Sequence, residues 1–176
     1  MAEGEKMTYC ASDLKLPPWK IIIANNEKAE LDFSTFTDEE HIGHGTIGVS
    51  YGDYMIEGHR HDGPLFDYKS SPADFYGTIK NWTYSPTDKW DHYERTFQKL
   101  EMRRPHGWIV LGFTWGVALK YADQQTGWLS AGGFIRKALR LMHRVPIFPA
   151  TNPYGAAEFI YNECALWVKD NPTKNQ

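Results

Sequence analysis

The feature that most constrains this chain is a change of hydrophobic period along its length. Between residues 19 and 59 the apolar residues come in short runs or alternate with polar ones, and turn-forming residues close each run. From residue 90 onward they recur at spacings of three and four, the period of an amphipathic helix. Strands first and helices afterwards predict an α+β fold.

The individual segments follow from local patterns. Trp19-Lys20-Ile21-Ile22-Ile23-Ala24 is a β-branched run closed by Asn25-Asn26. Leu31 and Phe33 then alternate with Glu30 and Asp32, so two strands joined by a turn are expected. Residues 45–59 repeat the pattern, with Gly52-Asp53 as a turn signal, and read as a hairpin. Residues 62–87 hold Gly63, Pro64, Pro72 and Pro86 among aromatics and read as a long ordered loop, with one helical turn near residues 73–76, of the kind that borders a site. Helices are expected over 90–103, 127–144 and 154–170. The apolar stretch 108–122 fits a strand that becomes a helix near Thr114. Residues 1–18, ending in Pro17-Pro18, read as a flexible arm, and 19–172 as one domain.

At 176 residues, with 15% aromatics, the chain has ample material for a core. Its net charge of −3 gives no uniform field toward nucleic acid or anionic lipid, so nucleic acid is not expected as a partner. The most basic stretch, residues 136–144, carries its cations among Ala138, Leu139, Leu141 and Met142 and reads as the solvated face of a helix. The start of the chain lacks a basic, then apolar leader, and no apolar run reaches the length of a membrane span, which together predict a cytoplasmic protein. In that setting the acceptor triplet Asn81-Trp82-Thr83 carries no glycan. Cys10 and Cys164 are the sole cysteines, enough for at most one bridge and for no cysteine-rich metal site.

Two arrangements carry chemistry. His59 and His61 alternate on a strand-like segment and are followed by Asp62. With His44 they offer imidazole and carboxylate ligands for a metal-dependent hydrolase, against the plainer reading of solvated residues at a strand end. In the second arrangement His44 opens the hairpin and Glu57 closes it, so strand pairing would set a carboxylate beside an imidazole and orient it as a base.

That second arrangement continues downstream. His44-Gly45-Thr46-Ile47-Gly48-Val49, Gly52-Asp53-Tyr54-Met55-Ile56-Glu57, Tyr121-Ala122-Asp123 with Gly127-Trp128-Leu129, and Ala156-Ala157-Glu158-Phe159-Ile160-Tyr161 appear in this order. Over residues 44–165 the chain resembles the circularly permuted papain-like proteins of the NlpC type, relatives of the lecithin–retinol acyltransferase group. The resemblance implies a permuted papain-like fold, a small antiparallel sheet packed against helices, and a thiol hydrolase acting on an amide, isopeptide or ester bond of a peptide, protein conjugate or acyl ester. His44 would be the base, Glu57 its orienter, and backbone N–H groups near residue 156, helped by Tyr154, an oxyanion hole. His59 and His61 would lie on the substrate side, and no metal or organic cofactor is required.

The departure is at the nucleophile, because Ala156 stands where the family carries its cysteine. That marks either a silent binding module or a deliberate Cys→Ala change, and the retained histidine and glutamate favour the change. Cys164, two turns into the last helix among Phe159, Ile160 and Trp167, reads as a buried structural thiol, and Cys10 as incidental.

Overall fold

A computed structural model describes residues 16–25, 27, 28, 30–37, 41–45, 52–84, 88–126 and 129–172, with the side chains of 83, 84 and 88–90 left aside. Cys10, residues 46–51 and Gly127-Trp128 lie outside that set.

Six strands form one sheet in the order β2-β1-β3-β4-β5-β6. They are β1 (Ile21–Ala24), β2 (Ile42–Gly45), β3 (Tyr54–Ile56), β4 (Leu65–Lys69), β5 (Gly107–Leu111) and β6 (Ile147–Pro149). β1 runs parallel to β2, β4 to β5 and β5 to β6, whereas β3 lies antiparallel between β1 and β4. The α+β class expected from the sequence is present, but the sheet is mixed and not antiparallel. The reason is connectivity. β4, β5 and β6 are joined by α1 (Pro72–Tyr84) with α2 (Asp88–Met102), and by α3 (Trp115–Asp123) with α4 (Ala131–Met142). Helical crossovers of that length return the chain in the same direction.

The expected hairpin over 45–59 does not form either. β2 and β3 flank β1 on opposite sides, with Ile23 opposite both His44 and Tyr54. Leu31 and Phe33 are buried as their alternation suggests, yet they belong to a non-strand segment packed on the sheet.

Side-chain alternation sorts the residues into two cores. Ile21, Ile23, Tyr54, Phe66, Tyr68 and Val110 face α5 (Pro153–Asp170) and the 31–36 segment. Met55, Leu65, Ile109, Leu111 and Ile147 face α1 to α4, where the Phe75, Tyr76 and Phe134 rings interlock. The result is three layers, helices on both sides of a sheet. No described helix is long and apolar enough to cross a membrane.

The span expected to be a loop, residues 62–87, holds β4 and the whole of α1. Pro72 signals a helix start there, since a proline in the first turn loses no hydrogen bond. The 108–122 stretch does split into β5 and α3, with the Thr114 hydroxyl accepting from Val117 N–H at 3.4 Å as the cap.

Candidate functional site

Because every strand but β3 runs the same way, one edge of the sheet gathers the carboxyl ends of five strands. Backbone hydrogen bonds fix that edge: Ala24 N–H to Asp53 C=O at 2.8 Å, Gly112 N–H to Lys69 C=O at 3.0 Å and Ala150 N–H to Leu111 C=O at 2.8 Å. α1, α3 and α5 all begin there. The chain leaves β1 toward β2 on one side and leaves β4 toward β5 on the other, so connections diverge around β3. In open sheets with helices on both faces, ligands bind at such a divergence.

A charged group fills this position. Lys69 Nζ donates to Asp67 Oδ1 at 3.1 Å, and the two side chains are only 10% and 9% exposed. Both sit on the α1–α4 face of β4, two residues apart. Asp53 enters β3 opposite them, and its Oδ2 accepts the Tyr68 N–H at 2.6 Å. Gly52 makes that entry possible. Its φ is +93°, and a Cβ there would lie 2.6 Å from the Phe66 carbonyl oxygen.

The electrostatics follow from burial and mutual charge. Burial pushes the Asp53 carboxyl well above the usual carboxylate range, the Asp67 charge adds to this, and Lys69 and the Tyr68 N–H oppose it. Burial alone would push the Lys69 ammonium down, but Asp67, Asp53 and Asp74 more than reverse it, so the amine stays charged. Asp74, in the first turn of α1, is also raised by burial, with Lys69 opposing. Asp53 therefore holds a proton more tightly than a free aspartate, beside a fixed ammonium.

The residues singled out from sequence divide between the two edges. His44 lies on β2 at the carboxyl edge, half-exposed, with Nε2 3.2 Å from Glu30 Oε2. Together with Ile23, Leu31 and Ile42 this pair lines a groove of about 340 Å³ on the α5 face. Glu57 lies at the opposite edge, where its N–H bonds the Lys20 carbonyl at 2.9 Å. From the register, Glu57 is about three residues down and two strands across from His44, roughly 10 Å along each direction. Glu30, not Glu57, is therefore the carboxylate beside His44.

His59 is also at that far edge, with Nδ1 3.2 Å from Asp62 Oδ1 and its ring 4.6 Å from that of Trp167. His61 is exposed nearby. The far edge thus keeps His59, His61 and Asp62 apart from His44, and among the described residues no group of three or more His, Cys, Asp or Glu is arranged to hold a metal ion.

Ala156 and Tyr154 stand at the start of α5, at the carboxyl edge. Ala156 is fully buried in the α5-side core. Its N–H bonds the Asn152 carbonyl at 3.2 Å, and the Gly155 N–H bonds Asn152 Oδ1 at 2.8 Å. Tyr154 is half-exposed, its ring 5.1 Å from that of Phe36. Cys164 is fully buried, and burial raises its thiol well above the ordinary value, with Glu163 adding to it.

No family model, curated protein or solved structure matches this chain.

In the sequence Asp53 reads as half of a turn signal, and Asp67 and Lys69 fall in the segment that reads as a loop, so neither pattern marks them as a site. One available signal was the sequence Leu65-Phe66-Asp67-Tyr68-Lys69, where opposite charges two apart alternate with aromatics, as on one face of a strand.

Proposed function

We propose that this protein is an enzyme acting on a small polar molecule at the carboxyl edge of its sheet, by general acid catalysis. A water molecule attacks the substrate carbon and gives up a proton to solvent, while Asp53 donates a proton to the departing oxygen or nitrogen and is then reprotonated from solvent. Lys69, held by Asp67, stabilises negative charge that develops as the bond breaks. The observation that supports this reading is the buried Asp67–Lys69 pair, with the partly buried Asp53 carboxyl beside it, where the connections diverge around β3. Buried charge that serves stability alone is readily replaced by apolar packing, and perturbed groups gather at functional sites.

The test is a thermal-shift screen of nucleosides, sugars, amino acids and polyamines, repeated on Asp53→Asn and Lys69→Met. A ligand that stabilises the native protein and fails to stabilise Lys69→Met supports the assignment, as does turnover of that ligand lost in Asp53→Asn. Stabilisation retained by both variants would move the site elsewhere.

The thiol hydrolase implied by the resemblance is the second proposal. What favours it is that His44 and the start of α5 share one face and one edge of the sheet. Against it stand the burial of Ala156, the engaged N–H groups of residues 155 and 156, and the distance of Glu57. Iodoacetamide labelling of Ala156→Cys separates the two.

A further inference from the structure

Residues 124–157 contain no Asp or Glu, yet carry Arg136, Lys137, Arg140 and Arg144, in a chain whose net charge is −3. Three of these four cations, Arg136, Lys137 and Arg140, lie on α4, and Arg144 follows just beyond its end. Phe134, Ala138 and Leu141 face the core and leave the opposite face of α4 to solvent. On that face Ile135 and Leu139, one turn apart, are 39% and 53% exposed. Arg136 and Arg140 follow each of them by one position and are exposed as well.

Like charges at this spacing repel each other along a helix. Arg144, the next in the series, is neutralised by Glu94 and Glu101, each at 2.9 Å. Among the described residues no ion pair involves Arg136 or Arg140. The surface is one convex helix face and not a groove. The two grooves described lie elsewhere, beside His44 and along α2.

We propose that this face of α4 docks reversibly on anionic phospholipid membranes. Ile135 and Leu139 enter between the headgroups while the arginines reach the phosphates, in the manner of interfacial amphipathic helices. A convex face suits a flat lipid surface, and a stretch without acids suits a surface of uniform negative charge. With so few anchors the attachment is weak and salt-sensitive, because screening shortens the reach of exposed charge to about 10 Å at moderate ionic strength.

The test is co-sedimentation of the full chain with phosphatidylcholine vesicles and with vesicles in which phosphatidylserine replaces part of that lipid, at low and high salt. The wild type is expected to bind only the phosphatidylserine vesicles, and to leave them at high salt. Arg136→Gln with Arg140→Gln should lower partitioning roughly thirtyfold, from about one tenfold step per 1.4 kcal/mol and about 1 kcal/mol per cation. Ile135→Ser with Leu139→Ser should also weaken it, and Arg95→Gln, a cation on α2 outside the face, should not. All changes are at exposed positions, and circular dichroism checks that each variant is folded. Failure of the wild type to bind phosphatidylserine vesicles, or equal binding by the double variants, overturns the proposal. Binding of a synthetic acidic amphipathic peptide in place of vesicles, lost in Arg136→Gln with Arg140→Gln, would also overturn it and assign the face to a protein partner.

Discussion

Lys69 Nζ and Asp67 Oδ1 meet at 3.1 Å on one face of one strand, with both side chains almost wholly buried. A pair in that position is costly to desolvate and more costly to break, because removing one partner strands the other charge. Lys69→Met should therefore destabilise the fold by about 3–5 kcal/mol in urea denaturation. Adding Asp67→Leu should recover most of the loss, since a matched apolar pair of similar volume is often neutral. If the double variant is as unstable as the single one, the pair is supporting something besides its own charges.

Gly52 positions Asp53 by taking a backbone conformation that other residues avoid. Gly52→Ala should cost roughly 1–2 kcal/mol from the positive φ alone, and more because its Cβ would meet the Phe66 carbonyl oxygen at 2.6 Å. The loss should appear as a lower Tm. Gly58→Ala, also at positive φ but with nothing within 4 Å of the added Cβ, should cost less.

These two sites show where the sequence was legible and where it was not. The bounds of α5 and the strand-to-helix change at Thr114 follow from caps and period, which are local, whereas α4, expected over 127–144, begins only at Ala131, after its Ser130 cap. The partner of β1 does not, because the stretch between β2 and β3 looks like a hairpin whether or not β1 inserts between them. Strand pairing is a tertiary choice. It is why Glu57, near in sequence to the His44 segment, ends at the far edge, while Glu30 arrives beside His44. The Asp53, Asp67 and Lys69 group was hidden for the same reason: its members come together only once β3 and β4 pair.

Asp53 gives stability a distinctive pH dependence. A carboxyl held above its unfolded value binds its proton more tightly in the folded state. Its contribution is fully present below the unfolded pKa of about 4 and is lost as pH rises through the folded value. Glu94 has the opposite sign. The Arg144 hydrogen bonds hold its carboxyl low, so its contribution is present above the usual glutamate range and is lost as pH falls. The comparison to make is wild type against Asp53→Asn, because Asn can still accept the Tyr68 N–H. Between about pH 4 and neutrality the wild type should lose stability relative to Asp53→Asn, read as a growing difference in Tm. A difference that does not change with pH would show that Asp53 titrates normally.

Thiol reactivity at position 156 separates the two functional proposals at a single atom. Cys164 is fully buried and its thiol is pushed up by burial, so in the native protein iodoacetamide at neutral pH should leave it unmodified, with peptide mapping showing labelling only after unfolding. Ala156 is just as buried, although it lies in the first turn of α5, where the positive end of the helix dipole favours a thiolate. A thiol hydrolase needs the second influence to win, with the cysteine exposed enough to meet a substrate and activated by His44. A carboxyl-edge acid site makes no such demand, and there burial should win. We expect the thiol of Ala156→Cys to react as slowly as Cys164, and no more slowly when His44→Ala is added. Labelling faster than a free model thiol, and slowed by His44→Ala, would instead make position 156 the nucleophile and leave Asp53 and Lys69 a structural role.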